Sequence, residues 1–124
     1  MGYDEDDGDD DKSGSHNIVV GRDHSYPSYG GLVVGYNNTI SGQFSSVTGG
    51  HSNSAEARTA SVSGGRYNRA ANYYSWVGGG FENVADEWFA SVMGGAYNES
   101  TGECGVLVGG TSLSDTTDLC DETP

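Results

Sequence analysis

A chain that repeats itself every 15 residues has few folds open to it, and this one of 124 residues does so through most of its length. Asn38, Asn53, Asn68, Asn83 and Asn98 form one unbroken column, and Val47, Val62, Val77 and Val92 form another that Leu107 continues. Paired glycines follow the valines at 49/50, 64/65, 79/80, 94/95 and 109/110. Ala55, Ala70 and Ala85 sit two places after the asparagines, with Ile40 and Ser100 at the ends of that column. Self-similarity at a fixed period marks units that cannot bury an apolar face alone and therefore stack on one another.

The period is too short for a helix-turn-helix repeat, and each glycine inside a helix would cost about 1 kcal/mol. Within a unit the small and apolar positions alternate instead: Ser45, Val47 and Gly49 are two apart, as are Asn53 and Ala55. That is the signature of short strands with one packed face. The second glycine of each pair permits a positive φ or a close backbone approach at a corner. One unit reads as strand, glycine corner, strand, turn, and the fold class is all-β, a β-solenoid or β-roll of about six to seven stacked coils. At about 4.8 Å per coil it makes a rod roughly 30 Å long. The valines become an apolar spine. For the asparagines two readings stay open, an inward ladder in which each side-chain amide bonds the next, or turn residues tolerant of left-handed backbone.

The pattern extends toward the N-terminus in a more apolar form. Leu32-Val33-Val34-Gly35 is expected to hold the 15-residue register with the later units, and Ile18-Val19-Val20-Gly21 lies 14 residues before it. The repeat domain is therefore placed at 16–114, about four fifths of the chain, between acidic tails at 1–15 and 115–124. The N-terminal tail is expected to be disordered.

Only 34% of the residues are hydrophobic and 21 are glycine, so an ordinary globular core is not expected. Two prolines and the lack of a glycine at every third residue exclude collagen. The net charge of −13 sits mostly in the tails: residues 1–12 carry seven acids, and 13–113 carry seven acids against four arginines. No basic stripe exists to displace counterions from phosphates, so nucleic acid is not an expected partner. No apolar run approaches the roughly 18–20 residues that span a bilayer, so membrane insertion is not expected either. The stretch DEDDGDDD at 4–11 has oxygen ligands but not the order of an EF-hand loop. Its reading is a solvated tail, with weak Ca²⁺ attraction as the alternative; no other cofactor is expected. Cys104 and Cys120, if joined, would pin the C-terminal tail, worth about 3 kcal/mol in the chain-entropy model. Both redox states stay open at this point.

The phrase SVSGG-x-x-N-x-A resembles the left-handed β-roll repeats in the heads of trimeric autotransporter adhesins, the YadA-like family. Val47, Gly50, Asn53 and Ala55, with their counterparts one and two units on, fall on the matching places. The resemblance implies a trimer built by packing coil faces around an axis, and binding to extracellular matrix or other surfaces. The sequence departs from it in its 15-residue unit, where that family has about 14, and in carrying Gly49, Gly64, Gly79 and Gly94 where a second aliphatic residue is usual. Core columns this small predict a coil that leans on partners.

No constellation for catalysis stands out. His16, His24 and His51 match no zinc spacing and read as surface histidines. Aromatic residues are the more informative feature: Tyr74, Trp76, Trp88 and Phe89 lie in adjacent units with Tyr73, and strand alternation places Tyr74, Trp76 and Phe89 on one face, opposite Val77 and Val92. They are candidates for a subunit interface or a glycan-binding platform. An ice-binding face would need a threonine ladder, but Thr48 is followed in its column by Ser63, Gly78 and Met93. Asn37-Asn38-Thr39 and Asn98-Glu99-Ser100 match the glycosylation sequon. The expected function is a non-enzymatic structural or adhesive repeat protein that self-assembles as a trimeric head or fibre subunit, extracellular, at a cell surface or in a virion fibre. The alternative is a carbohydrate- or surface-binding module, such as a viral tail-fibre tip, or a binder of matrix protein.

Overall fold

The structure, a computed structural model, describes residues 12–120. The acidic segment 4–11, and with it the calcium reading, lies outside the described residues, as do residues 121–124. Every described element is a β-strand. The first two, β1 (Ile18–Arg22) and β2 (Leu32–Tyr36), have five residues each. The later ones have two: β3 (Thr39–Ile40), β4 (Ser46–Val47), β5 (Ser54–Ala55), β6 (Ser61–Val62), β7 (Arg69–Ala70), β8 (Trp76–Val77), β9 (Val84–Ala85), β10 (Ser91–Val92), β11 (Glu99–Ser100), β12 (Val106–Leu107) and β13 (Ser114–Asp115).

The chain alternates between two parallel sheets. One has seven strands in the order β1-β2-β4-β6-β8-β10-β12, and the other has six in the order β13-β11-β9-β7-β5-β3. Each circuit adds one strand to each sheet beside the strand of the previous circuit, which is a β-solenoid of about seven coils. Between the sheets lie Val19, Val33, Val47, Val62, Val77 and Val92 from the first, and Ile40, Ala55, Ala70 and Ala85 from the second. Ala60 and Ala90 fill the corner between them, and all but Val19 are at most 1% exposed. A single chain thus closes its own core, although the small columns had suggested a need for partners. Valine facing alanine suits an interior one side chain thick.

Two corners separate the sheets in every coil. The first follows the glycine pair. The second is a β-turn closed by bonds such as Ala60 N–H to Ala57 O at 3.0 Å and Gly105 N–H to Gly102 O at 2.9 Å. Its third residue, at Phe44, Thr59, Tyr74, Phe89 and Cys104, has φ between 57° and 60°.

The strand register differs from the expected one at the N-terminal end. Val33, not Leu32, pairs with Val47, a step of 14, while Tyr36 bridges to His51, a step of 15. The extra residue therefore enters the third coil at Thr48-Gly49, after the strand. The cause is alternation: burying Val33 turns Leu32 and Val34 outward, just as burying Val19 exposes Ile18 and Val20. The first glycine of each pair is an insertion into a 14-residue coil. A Cβ on Gly94 or Gly109 would meet nothing within 4 Å. On the second glycine, Gly65 for instance, with φ +84, a Cβ would run into Gly80 O and the amide nitrogen of Asn68.

Both ends of the array extend past the expected limits. Gly14 N–H donates to Tyr26 O at 2.8 Å, ahead of His16. At the other end β13 pairs with β11 through Asp115, and Leu119 N–H donates to Glu103 O at 2.9 Å. Cys104 and Cys120 are joined by a disulfide with Cα atoms 5.4 Å apart, tying this strap to the last coil.

Candidate functional site

The asparagine column is an inward ladder of a different kind from amide stacked on amide. Asn53 N–H donates to Asn38 Oδ1 at 2.8 Å, and the same bond recurs from Asn68 to Asn53, Asn83 to Asn68 and Asn98 to Asn83 at 2.9–3.0 Å. Each Nδ2 donates twice, to a carbonyl four residues back and to one twelve residues on, as Asn68 does to Gly64 O at 3.0 Å and Gly80 O at 2.9 Å. One buried amide thus satisfies three backbone groups at a corner where the strand ladder is interrupted. These residues are 0–1% exposed and are structural.

His24 occupies the same column and is fully buried, so the expectation of a surface histidine fails for it. Its Nδ1 accepts from Asn38 N–H at 3.1 Å, and its Nε2 lies 3.1 Å from Val20 O, to which it donates. The proton is therefore on Nε2. His16 is exposed beside Ser15, and His51 is half-buried between the rings of Tyr36 and Tyr67. Among the described residues no group of three or more His, Cys, Asp or Glu side chains is placed to hold a metal ion.

The exposed aromatic residues gather on the two corners. Along the turn corner, Tyr74 and Phe89 stack with centroids 5.0 Å apart and planes 5° apart, Tyr73 meets Trp88 at 5.3 Å, and Tyr29 meets Phe44 at 5.5 Å. Arg58 lies 5.9 Å from the Phe44 centroid. Trp76 does not join this group. It projects from β8 on the outer face of the seven-stranded sheet, where its indole N–H donates to Ser63 Oγ at 3.0 Å. Strand alternation fails to unite it with Tyr74 and Phe89 because those two are turn residues with φ of 60° and 59°.

Sequence reasoning missed the second edge. Tyr36, His51, Tyr67, Phe81 and Tyr97 run along the glycine corner with successive centroids 5.0–6.0 Å apart. Arg66 lies 4.7 Å from the Tyr67 ring centroid, and Arg22 5.6 Å from that of Tyr36. The signal was present, since Tyr67 and Tyr97 each stand immediately before a ladder asparagine. That position has φ near +57° in both.

The outer faces of the two sheets differ in kind. On the seven-stranded sheet the outward residues are Ile18, Val20 and Arg22, Leu32, Val34 and Tyr36, Ser46, Ser61, Trp76, Ser91 and Val106, flanked by Thr48, Ser63, Met93 and Val108, and Arg22 at the end of β1 is the one charged residue among them. On the six-stranded sheet Arg69 Nε donates to Glu56 at 2.9 Å, and its Nη1 lies 3.9 Å from Asp86. The bond to Glu56 raises the Arg69 pKa above its ordinary value, with Asp86 and Glu99 adding to it and partial burial opposing. Of the two sequons, Asn37 is exposed and bonds Ser52, but Asn98 is buried with its amide engaged in the ladder and offers no acceptor. No family model, curated protein sequence or solved structure matches the chain.

Proposed function

We propose that this chain is a structural and adhesive rod that self-associates through the outer face of its seven-stranded sheet, as a head or fibre subunit at a cell surface, in the extracellular space or on a virion. The observation that carries this reading is the near-absence of charge on that face, where Arg22 at the end of β1 is the exception, together with its exposed aliphatic residues: Ile18, Val20, Met93, Val106 and Val108 are 49–73% exposed. Apolar area of this kind is stabilised by a partner, and a face repeating every coil is matched in spacing by the same face of another copy. The likeness of the repeat to YadA-like heads favours a trimer. The core does not require the partner, so assembly adds to a coil that is already closed.

The test is the mass in solution by light scattering. The expected result is a multiple of 12.9 kDa for the wild type, reduced to the monomer by Met93→Glu with Val108→Glu. A wild type that stays monomeric at high concentration sinks the reading.

The ring-bearing edges favour a second reading, a module that binds a glycan or matrix surface. Bulky side chains at positive φ carry a backbone cost of about 1–3 kcal/mol. Phe44, Tyr67, Tyr74, Phe89 and Tyr97 stand at such positions while remaining 43–51% exposed. They return little burial, so their presence points to contact with something outside the chain. Loss of surface adhesion in Tyr74→Ala, Trp88→Ala and Phe89→Ala variants with unchanged mass is the expected outcome; retained adhesion counts against it.

A further inference from the structure

We infer that the groove beside Tyr73 on the turn corner is a binding subsite for one hexose unit of a neutral oligosaccharide. The inference rests on the adhesive reading of the edges and does not depend on self-association. The groove spans three coils, has a volume of about 370 Å³, and is lined by Gln43, Glu56, Arg58 and Tyr73 over a floor of Gly42 and Ala57. That volume is at the small end of ligand clefts, which run about 300–1,000 Å³.

The floor is backbone drawn close, since a Cβ on Gly42 would strike Ala57 O. The walls combine a guanidinium, a carboxylate and a carboxamide with one aromatic ring. Glu56 is fixed by Arg69 at 2.9 Å and Ser54 at 3.0 Å, both on Oε1, which leaves Oε2 to accept from a ligand. Arg58 forms no ion pair among the described residues and lies 5.9 Å from the Phe44 centroid, so its N–H groups remain for a ligand. Tyr73 is braced by Trp88 at 5.3 Å. Sugar hydroxyls both donate and accept, and adjacent hydroxyls match planar groups that present two atoms at once. The Tyr73 ring supplies a flat apolar surface for the C–H face of a pyranose.

Charge decides against other ligand classes. A carboxylate or phosphate would meet Glu56, a cation would meet Arg58, and an apolar molecule would strip water from three polar heads without replacing their bonds. A neutral polyol satisfies all of them.

The experiment is saturation-transfer NMR and calorimetry on the full chain with cellotriose, mannotriose, triacetylchitotriose and lactose, and with sialyllactose as a charged comparison. At least one neutral sugar is expected to bind with a dissociation constant below about 10 mM. Gln43→Ala, Arg58→Ala and Tyr73→Ala should each weaken it about tenfold, with Tyr73→Phe close to wild type. Thr111→Ala, an exposed position away from both the groove and the rings, should bind as the wild type does. Circular dichroism and melting identify any variant that has simply failed to fold, and Tyr73→Phe keeps the ring test independent of that. No binding by any neutral sugar, stronger binding of sialyllactose, or equal loss in Thr111→Ala overturns the subsite. A protein that still adheres to surfaces but ignores these sugars loses the subsite and keeps the adhesive reading; a strict monomer that binds them loses self-association alone.

Discussion

At the glycine corner the central coils bury an asparagine, and the first coil buries His24. Both place an acceptor on the atom bonded to Cγ, and both take the backbone N–H of the next coil: Asn38 N–H reaches His24 at 3.1 Å, and Asn53 N–H reaches Asn38 at 2.8 Å. Both also donate to the carbonyl four residues back, Val20 O at 3.1 Å and Val34 O at 2.7 Å. They differ in capacity. An amide has two N–H bonds where this imidazole has one, so asparagine serves a second carbonyl, as Asn38 does with Gly50 O at 3.0 Å. The geometry of the corner, more than the residue type, defines the role. The coils with histidine and with Asn38 have five-residue strands, whereas those with the inserted glycine have two-residue strands and depend more on the amide to satisfy their corners.

Breaking the central version should do the most damage. Asn68→Ala orphans Gly64 O and Asn83 N–H and takes one of the two bonds to Gly80 O, which keeps the one from Arg66 N–H, for an expected loss of about 4 kcal/mol in chemical denaturation. Gly65→Ala attacks the same corner from the backbone and should cost about 3 kcal/mol; Gly94→Ala, at the inserted glycine, should change the midpoint by less than about 0.5 kcal/mol. Equal effects from the two would refute the distinction between the members of a pair. At the first coil, His24→Ala should lose about 2 kcal/mol, while His24→Asn stays within about 1 kcal/mol of wild type. If asparagine there proves as damaging as alanine, the equivalence of the two corners is wrong. The smallest effect runs the other way. Ser100 ends the alanine column with a buried hydroxyl that finds no partner among the described residues, so Ser100→Ala should raise stability by about 1 kcal/mol, read as a higher melting temperature.

The solenoid itself was legible because its period is written in residue identities that the backbone needs: glycine where φ is positive and the next coil is close, asparagine where a corner has two groups without a backbone partner. Val33 was harder, because Leu32 and Val33 are both apolar and either could extend the valine column; only the pairing of whole strands chooses. His24 was hidden by its different chemistry and by the 14-residue step. Tyr74 and Phe89 were found as a pair but given the wrong neighbour, since period-two reasoning assumes extended backbone and both residues are left-handed. The groove at Gln43, Glu56, Arg58 and Tyr73 draws on residues from successive coils whose columns vary freely, so no repeat announces it.

The corner relay has a direction. Every asparagine receives an N–H from the coil that follows, and the last of them, Asn98 Oδ1, receives that of Leu113 at 2.9 Å. Leu113 holds the next place in the column and has no polar atom to offer in turn. A coil grafted beyond it would arrive with an N–H and meet an aliphatic chain. Extra coils can therefore be spliced between existing asparagines, where both neighbours speak the same chemical grammar, whereas a coil placed after Leu113 would leave its N–H without a side-chain acceptor until leucine gives way to asparagine.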